Sequence, residues 1–214
     1  MRERADASVE AAAVAMMDAR HVMALATVRA DGWPQNTIVG YANDGMTIYF
    51  LIFRASQKFG NIARDDRVAI AIGEQPSNIH FAEAVYASGR AAEVTDPDEK
   101  ERALVAMVDR FFPDRTANLR QSTTQEIKAT AVIAMEIEQA SAKIRTKGVA
   151  DDDEDYALPI YAERIPVLTV LGRPEPCPRL LDGIERPASL GGYSEGRLFG
   201  DALRDAHFAH YAGG

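Results

Sequence analysis

Residues 21–53 read His21-Val-Met-Ala-Leu-Ala-Thr-Val-Arg-Ala-Asp-Gly-Trp-Pro-Gln-Asn-Thr-Ile-Val-Gly-Tyr-Ala-Asn-Asp-Gly-Met-Thr-Ile-Tyr-Phe-Leu-Ile-Phe53, and this stretch decides the architecture. His21–Val28 is too apolar and β-branched for an exposed helix and reads as a first strand. Ala30-Asp-Gly-Trp-Pro34 is a hairpin signal, because Asp-Gly suits the positive φ angles of a tight turn. Asn36–Ala42 is then the returning strand, Asn43-Asp-Gly45 a second turn of the same kind, and Met46–Phe53 a third strand. Two such turns in close succession specify an antiparallel meander.

Outward from the meander, Ala7–Ala19 carries apolar residues at Val9, Ala12, Ala13, Met16 and Met17, a helical spacing with Ser8 as candidate N-cap. Downstream, Ala55–Asp65 reads as a short helix with Ser56 at its start and Phe59 and Ile62 three apart. Val68–Ile72 is a fourth strand, and Phe81–Val94 a long one with a bulge or bend at Gly89. Asp96-Pro-Asp-Glu99 opens a helix reaching about Phe112: Asp caps it, Pro takes the first position and the acids face the dipole. Pro113 ends that helix, and Ala131–Ile137 is another strand. The sum is a mainly β domain over residues 1–147, a six-stranded antiparallel barrel with inserted helices. After Lys147-Gly148 come an acidic run, Asp151–Asp155, and a proline-rich stretch from Pro159 to Pro187. Such a segment builds no regular core of its own. Residues 148–214 are therefore expected to wrap over the barrel or a second subunit, with a terminal helix at Arg197–Tyr211.

Composition bounds the function. The chain has 214 residues, 47% of them hydrophobic and 26% charged, which excludes a disordered or fibrous protein. Lys+Arg 24 against Asp+Glu 32 leaves a net charge of −8. That argues against nucleic acid or an anionic membrane as the main partner, since both demand a basic face. The single Cys177 forms no internal disulfide, in keeping with a reducing compartment. The opening Met1-Arg-Glu-Arg-Ala-Asp6 alternates charges where an export signal needs an apolar core. The apolar runs, such as Ala129–Met135, fall far short of the ~20 residues of a membrane helix. A soluble, cytoplasmic protein is expected.

The segment that carries chemistry is Tyr49-Phe-Leu-Ile-Phe-Arg-Ala-Ser-Gln-Lys-Phe-Gly-Asn61. It runs from a strand into a turn bearing Arg54, Ser56, Gln57 and Lys58, then into a helix. A hydroxyl, an amide and two cations at a helix N-terminus can cradle a phosphate. The same residues also make an ordinary cap with solvated charge. Elsewhere the bland readings win. Trp33, beside its turn, reads as packing or surface. Asp151–Asp155 lacks the glycine and spacing of a calcium loop. His207 and His210 have no third ligand nearby, so no metal site is expected. Cys177 has no neighbouring base, and no Ser-His-Asp or phosphate-loop pattern occurs.

Taken together, Leu25-Ala-Thr-Val28, Asp31-Gly32, Pro34, Tyr49-Phe-Leu-Ile52, Ser56-Gln-Lys58, Asn61 and Asp65-Asp-Arg-Val68 resemble the pyridoxamine 5′-phosphate oxidase-like proteins, the flavin-binding split barrels. Gly89-Arg-Ala-Ala-Glu-Val94, Asp96-Pro-Asp-Glu99 and Glu138-Gln-Ala-Ser-Ala-Lys143 extend the resemblance to roughly residues 10–147. Pro159–Glu163 through Pro166–Pro174 is similar to the C-terminal part of one subgroup. The resemblance implies a homodimer with FMN at its interface. It places Thr37, Ile38 and Val39 against the flavin ring and phosphate, and Leu51, Ile52 and Phe53 beside it. Ser56, Gln57 and Lys58 correspond to the family's phosphate motif, and Tyr161 to a residue near the partner's cofactor. Three positions depart from the oxidase branch, which has Arg at Thr37, Thr at Ile52 and Arg at Gln57. Arg54 could replace one of the lost charges. The residues expected to hold pyridoxal phosphate are not recognisable, so vitamin B6 oxidation is not expected.

The function these readings imply is an FMN-dependent oxidoreductase acting on an unspecified small molecule, with an electron donor such as NADH or NADPH and no side chain assigned as catalytic. The alternatives are a flavin or small-ligand binding module without turnover, and a split-barrel enzyme using the deazaflavin F420 or haem.

Overall fold

The computed structural model describes residues 7–73, 82–112, 114–145, 152–163 and 165–211. A helix α1 (Ala7–Asp18) leads into β1 (Val22–Val28), β2 (Pro34–Gly40), a short β3 (Ala42–Asp44) and β4 (Thr47–Phe53). Helix α2 (Gln57–Arg64) separates β4 from β5 (Arg67–Gly73) and the long β6 (Ala82–Glu93). Helix α3 (Pro97–Phe111) and the single-turn-and-a-half α4 (Thr124–Ala129) precede β7 (Thr130–Arg145), and α5 (Phe199–Tyr211) closes the chain.

One sheet holds all the strands in the order β2-β1-β5-β6-β7-β4-β3, with every neighbouring pair antiparallel. It curls until β2 approaches β4, the split-barrel form. Strict alternation drives this. Met23, Leu25 and Thr27 of β1, Ile48, Phe50 and Ile52 of β4, and Val68, Ile70 and Ile72 of β5 are buried within the curl. Ala13, Met16 and Met17 of α1 join the same core. Each such aliphatic or aromatic side chain stabilises the fold by about 1.5–3 kcal/mol relative to an exposed one. A second cluster lies on the other face of β4, where Tyr49 and Leu51 pack with Val94, Ala103, Leu104 and Val132 against α3.

The expected turns and caps form. Gly32 and Gly45 take φ of +83° and +54°. Ser56 caps α2 and Asp96 caps α3, with Pro97 at its start. At Gly89 the β6–β7 register shifts, and an added Cβ would lie 1.9 Å from the Glu136 carbonyl oxygen. The strand count is seven, not the expected six. The return strand of the meander stops at Gly40, because Tyr41 turns into the core and its hydroxyl donates to the Met17 carbonyl (2.7 Å). The chain resumes as β3, which pairs with β4. β7 also runs beyond the expected Ala131–Ile137, because β6 supplies partners as far as Arg145. Helix α4, closed by a capping box between Thr123 and Glu126, was not anticipated. Pro113, the Lys147-Gly148 boundary and Asp151 lie outside the described residues.

Beyond the barrel, residues 152–163 and 165–198 are turns and irregular chain, with single 3₁₀ turns at Asp155–Ala157 and Ala188–Leu190 and an isolated antiparallel bridge between Val170 and Leu198. The far end docks. Tyr193, Ala202, Leu171, Leu190 and Phe199 form a small cluster. The Tyr193 hydroxyl donates to the Phe111 carbonyl (2.9 Å), and the His21 ring sits edge-on to Phe111 and Phe199, 5.2 Å from each. By contrast, Ile160, Tyr161, Ile165, Val167 and Leu168 remain exposed.

Candidate functional site

The turn from β4 into α2 is built by alternation and capping. Ile52, the last inward residue of β4, is buried, so Phe53 must point outward and is 70% exposed. The chain then turns, with the Ser56 amide donating to the Phe53 carbonyl (2.9 Å). Ser56 Oγ accepts from the Phe59 amide (3.4 Å), starting α2. The first amides of a helix have no intrahelical acceptor, so the N–H groups of Gln57 and Lys58 are left for an outside partner at the turn that also carries the Lys58 side chain. Lys58 forms no ion pair within the described residues. This corner keeps the elements of an anion cradle.

Arg54 does not complete it. Its guanidinium grips Glu93 at the end of β6 with two hydrogen bonds, Nη1 to Oε2 at 2.7 Å and Nη2 to Oε1. It also lies over the Phe59 ring at 5.6 Å. The Arg54 guanidinium holds the Glu93 carboxyl below the usual carboxylate range. The charge that could have replaced the arginine missing at Gln57 is thus partnered within the fold.

Gln57 itself enters a polar chain joining three elements. Gln35 Nε2 donates to Gln57 Oε1 (3.4 Å), and Asn61 Nδ2 donates to Gln35 Oε1 (2.9 Å) and Thr27 Oγ1 (3.0 Å). Arg64 Nη2 donates to Asn61 Oδ1 (3.3 Å) and to the Val28 carbonyl. Asn61 and Thr27 are buried, so the chain ties α2 to β1 and β2. Gln35, Asn61 and Glu93 carried no role in the sequence reading. Asn61 and Glu93 had a signal there only as residues within the segments quoted for the family resemblance, and Gln35 had none; Gln35 and Glu93 meet this corner only through long-range contacts.

The remaining expected residues are placed as follows. On β2, Thr37 is half-buried, Val39 is in the barrel core, and Ile38 faces outward at 71% exposure. Leu51 packs beneath α3. Ile52 and Val39 have their side chains committed to the core, leaving only backbone for a ligand. Tyr161 is 82% exposed on the extension, and its hydroxyl donates locally to Glu163 Oε2 (2.6 Å). The structure therefore gathers Phe53, Arg54, Ser56, Gln57 and Lys58 at one corner, with β2 tied to it through Gln35. Trp33 is exposed beside its turn. The side chains of His207 and His210 lie outside the described residues. Among the described residues no group of three His, Cys, Asp or Glu side chains is placed to hold a metal, and no helix is long and apolar enough to cross a membrane.

Comparison with known proteins bears on this corner. The family model for pyridoxamine 5′-phosphate oxidase matches residues 9–144, well over half of the chain. The flavocytochrome Anf3 from Azotobacter vinelandii is 27% identical, with 90% of this chain and 92% of that one covered and a TM-score of 0.76. An FAD and haem binding protein from Mycobacterium smegmatis is 26% identical, with 84% and 92% covered and a TM-score of 0.73. The haem storage protein HutZ from Vibrio cholerae, 17% identical over 63% of this chain and 94% of its own with a TM-score of 0.51, shares the fold. A search of curated proteins brings no match.

Proposed function

The chain belongs to the pyridoxamine 5′-phosphate oxidase family, and from that premise we propose that it is a flavin-binding oxidoreductase acting on a small molecule. The observation that carries the reading is the β4–α2 corner, where the two open amides of α2 and the unpaired Lys58 meet the demand of a phosphate. The outward apolar side chains of Ile38 and Phe53 suit the face of a flavin ring. A bound flavin supplies the electron or hydride transfer itself. The protein's part is binding and orientation: Lys58 and the α2 amides anchor the phosphate, the Asn61 network fixes the helix start, and Ile38 and Phe53 shield the ring from water. No side chain is assigned as acid or base.

We propose FMN as the flavin, because one phosphate matches one helix N-terminus with one free cation. The relatives described as a flavocytochrome and as an FAD and haem binding protein support a second reading, FAD with or without haem. The absorption spectrum of the purified protein, with extraction of the bound chromophore, tests all of these. A flavin band near about 450 nm that bleaches with NADH or NADPH supports the oxidoreductase. A flavin that does not bleach with either donor favours a binding module without turnover, a Soret band adds haem, and a colourless protein indifferent to added FMN and FAD sinks the flavin reading.

The protein is also proposed to be a homodimer. Tyr161, Val167 and Leu181 are each exposed on the extension, outside its small cluster around Tyr193 and Ala202, and a second copy would cover them. Sedimentation of the full chain as a monomer at micromolar concentration would overturn this.

A further inference from the structure

The ion pair of Arg54 with Glu93 stands beside the corner where α2 begins. We propose, resting on the flavin reading for where the anion binds, that Glu93 determines how tightly this corner holds a phosphate. By gripping the Arg54 guanidinium it leaves Lys58 as the cation for the ligand, so the site takes a single phosphate and holds it loosely. Glu93 acts through Arg54 and is a positioning residue.

Arg54 is near enough to serve the corner. It precedes Ser56, the cap of α2, by two residues, a chain distance of at most about 7 Å. Its guanidinium lies over the ring of Phe59, in the first turn of α2, 5.6 Å from the centroid. Its amide donates to the Ala129 carbonyl (3.0 Å), so the backbone is fixed and the side chain alone selects a partner.

Glu93 decides that selection. It is paired with Ile133 in the β6–β7 ladder, which sets its backbone in place. Both its oxygens are taken by the guanidinium, Oε2 by Nη1 at 2.7 Å and Oε1 by Nη2. The same fork of donors suits a phosphate, so carboxylate and phosphate compete for one pair of N–H groups. Arg54, with Lys100 adding a smaller pull, holds the Glu93 carboxyl below the usual carboxylate range, so the competing acceptor is charged at neutral pH. The two side chains keep 37% and 27% of their surface exposed. An ion pair so exposed contributes little net stability. Opening it therefore changes which cations face the ligand without undoing the fold.

The test is titration of the isotope-labelled full chain with inorganic phosphate at constant ionic strength, followed by the amide shifts of Gln57 and Lys58. Glu93→Gln should tighten phosphate binding about tenfold, the gain of one charged hydrogen-bonding partner. Glu93→Ala frees Arg54 in the same way and carries the same expectation, so a folding defect in one variant does not decide. Glu93→Asp, which keeps a carboxylate for Arg54, should stay near the wild-type affinity. Arg54→Ala combined with Glu93→Gln should lose the gain. Binding no tighter in Glu93→Gln and Glu93→Ala, a gain that survives in the double variant, or absence of phosphate binding throughout would each overturn the proposal.

FMN and riboflavin separate this proposal from the flavin reading. FMN should follow the phosphate ranking, whereas riboflavin, which lacks the phosphate, should bind wild type and Glu93→Gln equally. Phosphate binding that follows the ranking in a chain that binds neither flavin refutes the flavin reading alone. FMN binding that is indifferent to Glu93 refutes the role of Glu93 alone.

Discussion

Arg54, at the end of β4, and Glu93, at the end of β6, are joined by a two-pronged ion pair across 39 residues of sequence. The pair fastens the strand that opens the candidate site to the strand that leads into α3. It also removes Arg54 from the free cations beside the α2 N-terminus, so in the proposed site Lys58 is left as the cation for the phosphate.

The consequence is a ranking of variants. Lys58→Ala should weaken flavin binding about tenfold or more, the loss of one charged hydrogen bond, whereas Arg54→Ala should change it by less than about threefold. Fluorescence titration of the two variants decides. The reverse order would show that Arg54 leaves Glu93 when a phosphate binds.

Asn61 should matter to both stability and binding, because it links Thr27, Gln35 and Arg64 in a polar chain that ties α2 to β1 and β2. Asn61→Ala is expected to destabilise by about 1–3 kcal/mol, the cost of partners left buried and unsatisfied. It should also lower flavin affinity without touching the phosphate. Denaturant unfolding and flavin titration on the same variant check this, and wild-type values in both would remove the network from the site.

Gly89 is required by its surroundings. Any Cβ there would press into the Glu136 backbone, which cannot move without breaking the β6–β7 ladder. Gly89→Ala should cost about 2–3 kcal/mol, a fall in Tm of about 4–12 °C. Gly60→Ala, where nothing lies within 4 Å of the added Cβ, is the control and should leave Tm within a few degrees.

Acid should loosen the C-terminal docking first. Burial, then the Arg110 charge, hold the His21 pKa below 6.5, so its ring is neutral between Phe111 and Phe199. A histidine with a lowered folded-state pKa costs no stability above 6.5; as pH falls below that value the unfolded chain takes up the proton first and stability drops. Glu126, held down to about 2 by Arg120, acts only at lower pH, between its ordinary 4.5 and about 2. Hydrogen-exchange protection factors in α5 should therefore fall as pH drops below 6.5 while the barrel strands stay protected, and His21→Phe should abolish that step. A barrel and α5 that loosen together would refute the separation.

Much of the barrel could be read along the chain because its signals are local. Asp31-Gly32 and Asp44-Gly45 demand positive φ, Asp96-Pro97 starts a helix, and alternation in β1, β4 and β5 says which faces are buried. Even the bulge at Gly89 was legible, since a glycine inside a strand pattern has few other uses. The candidate corner was legible as a list of residue types on one segment, Arg54 to Lys58. Their roles were not. Whether Arg54 faces a ligand or Glu93, whether Gln57 is free or held by Gln35, and whether Tyr41 ends a strand depend on groups 20 to 40 residues away. Local propensity specifies φ, ψ and the face on which a side chain emerges. Which charge satisfies which is settled only when the sheet curls and brings distant partners within about 3 Å, where hydrogen-bond energy is gained or lost.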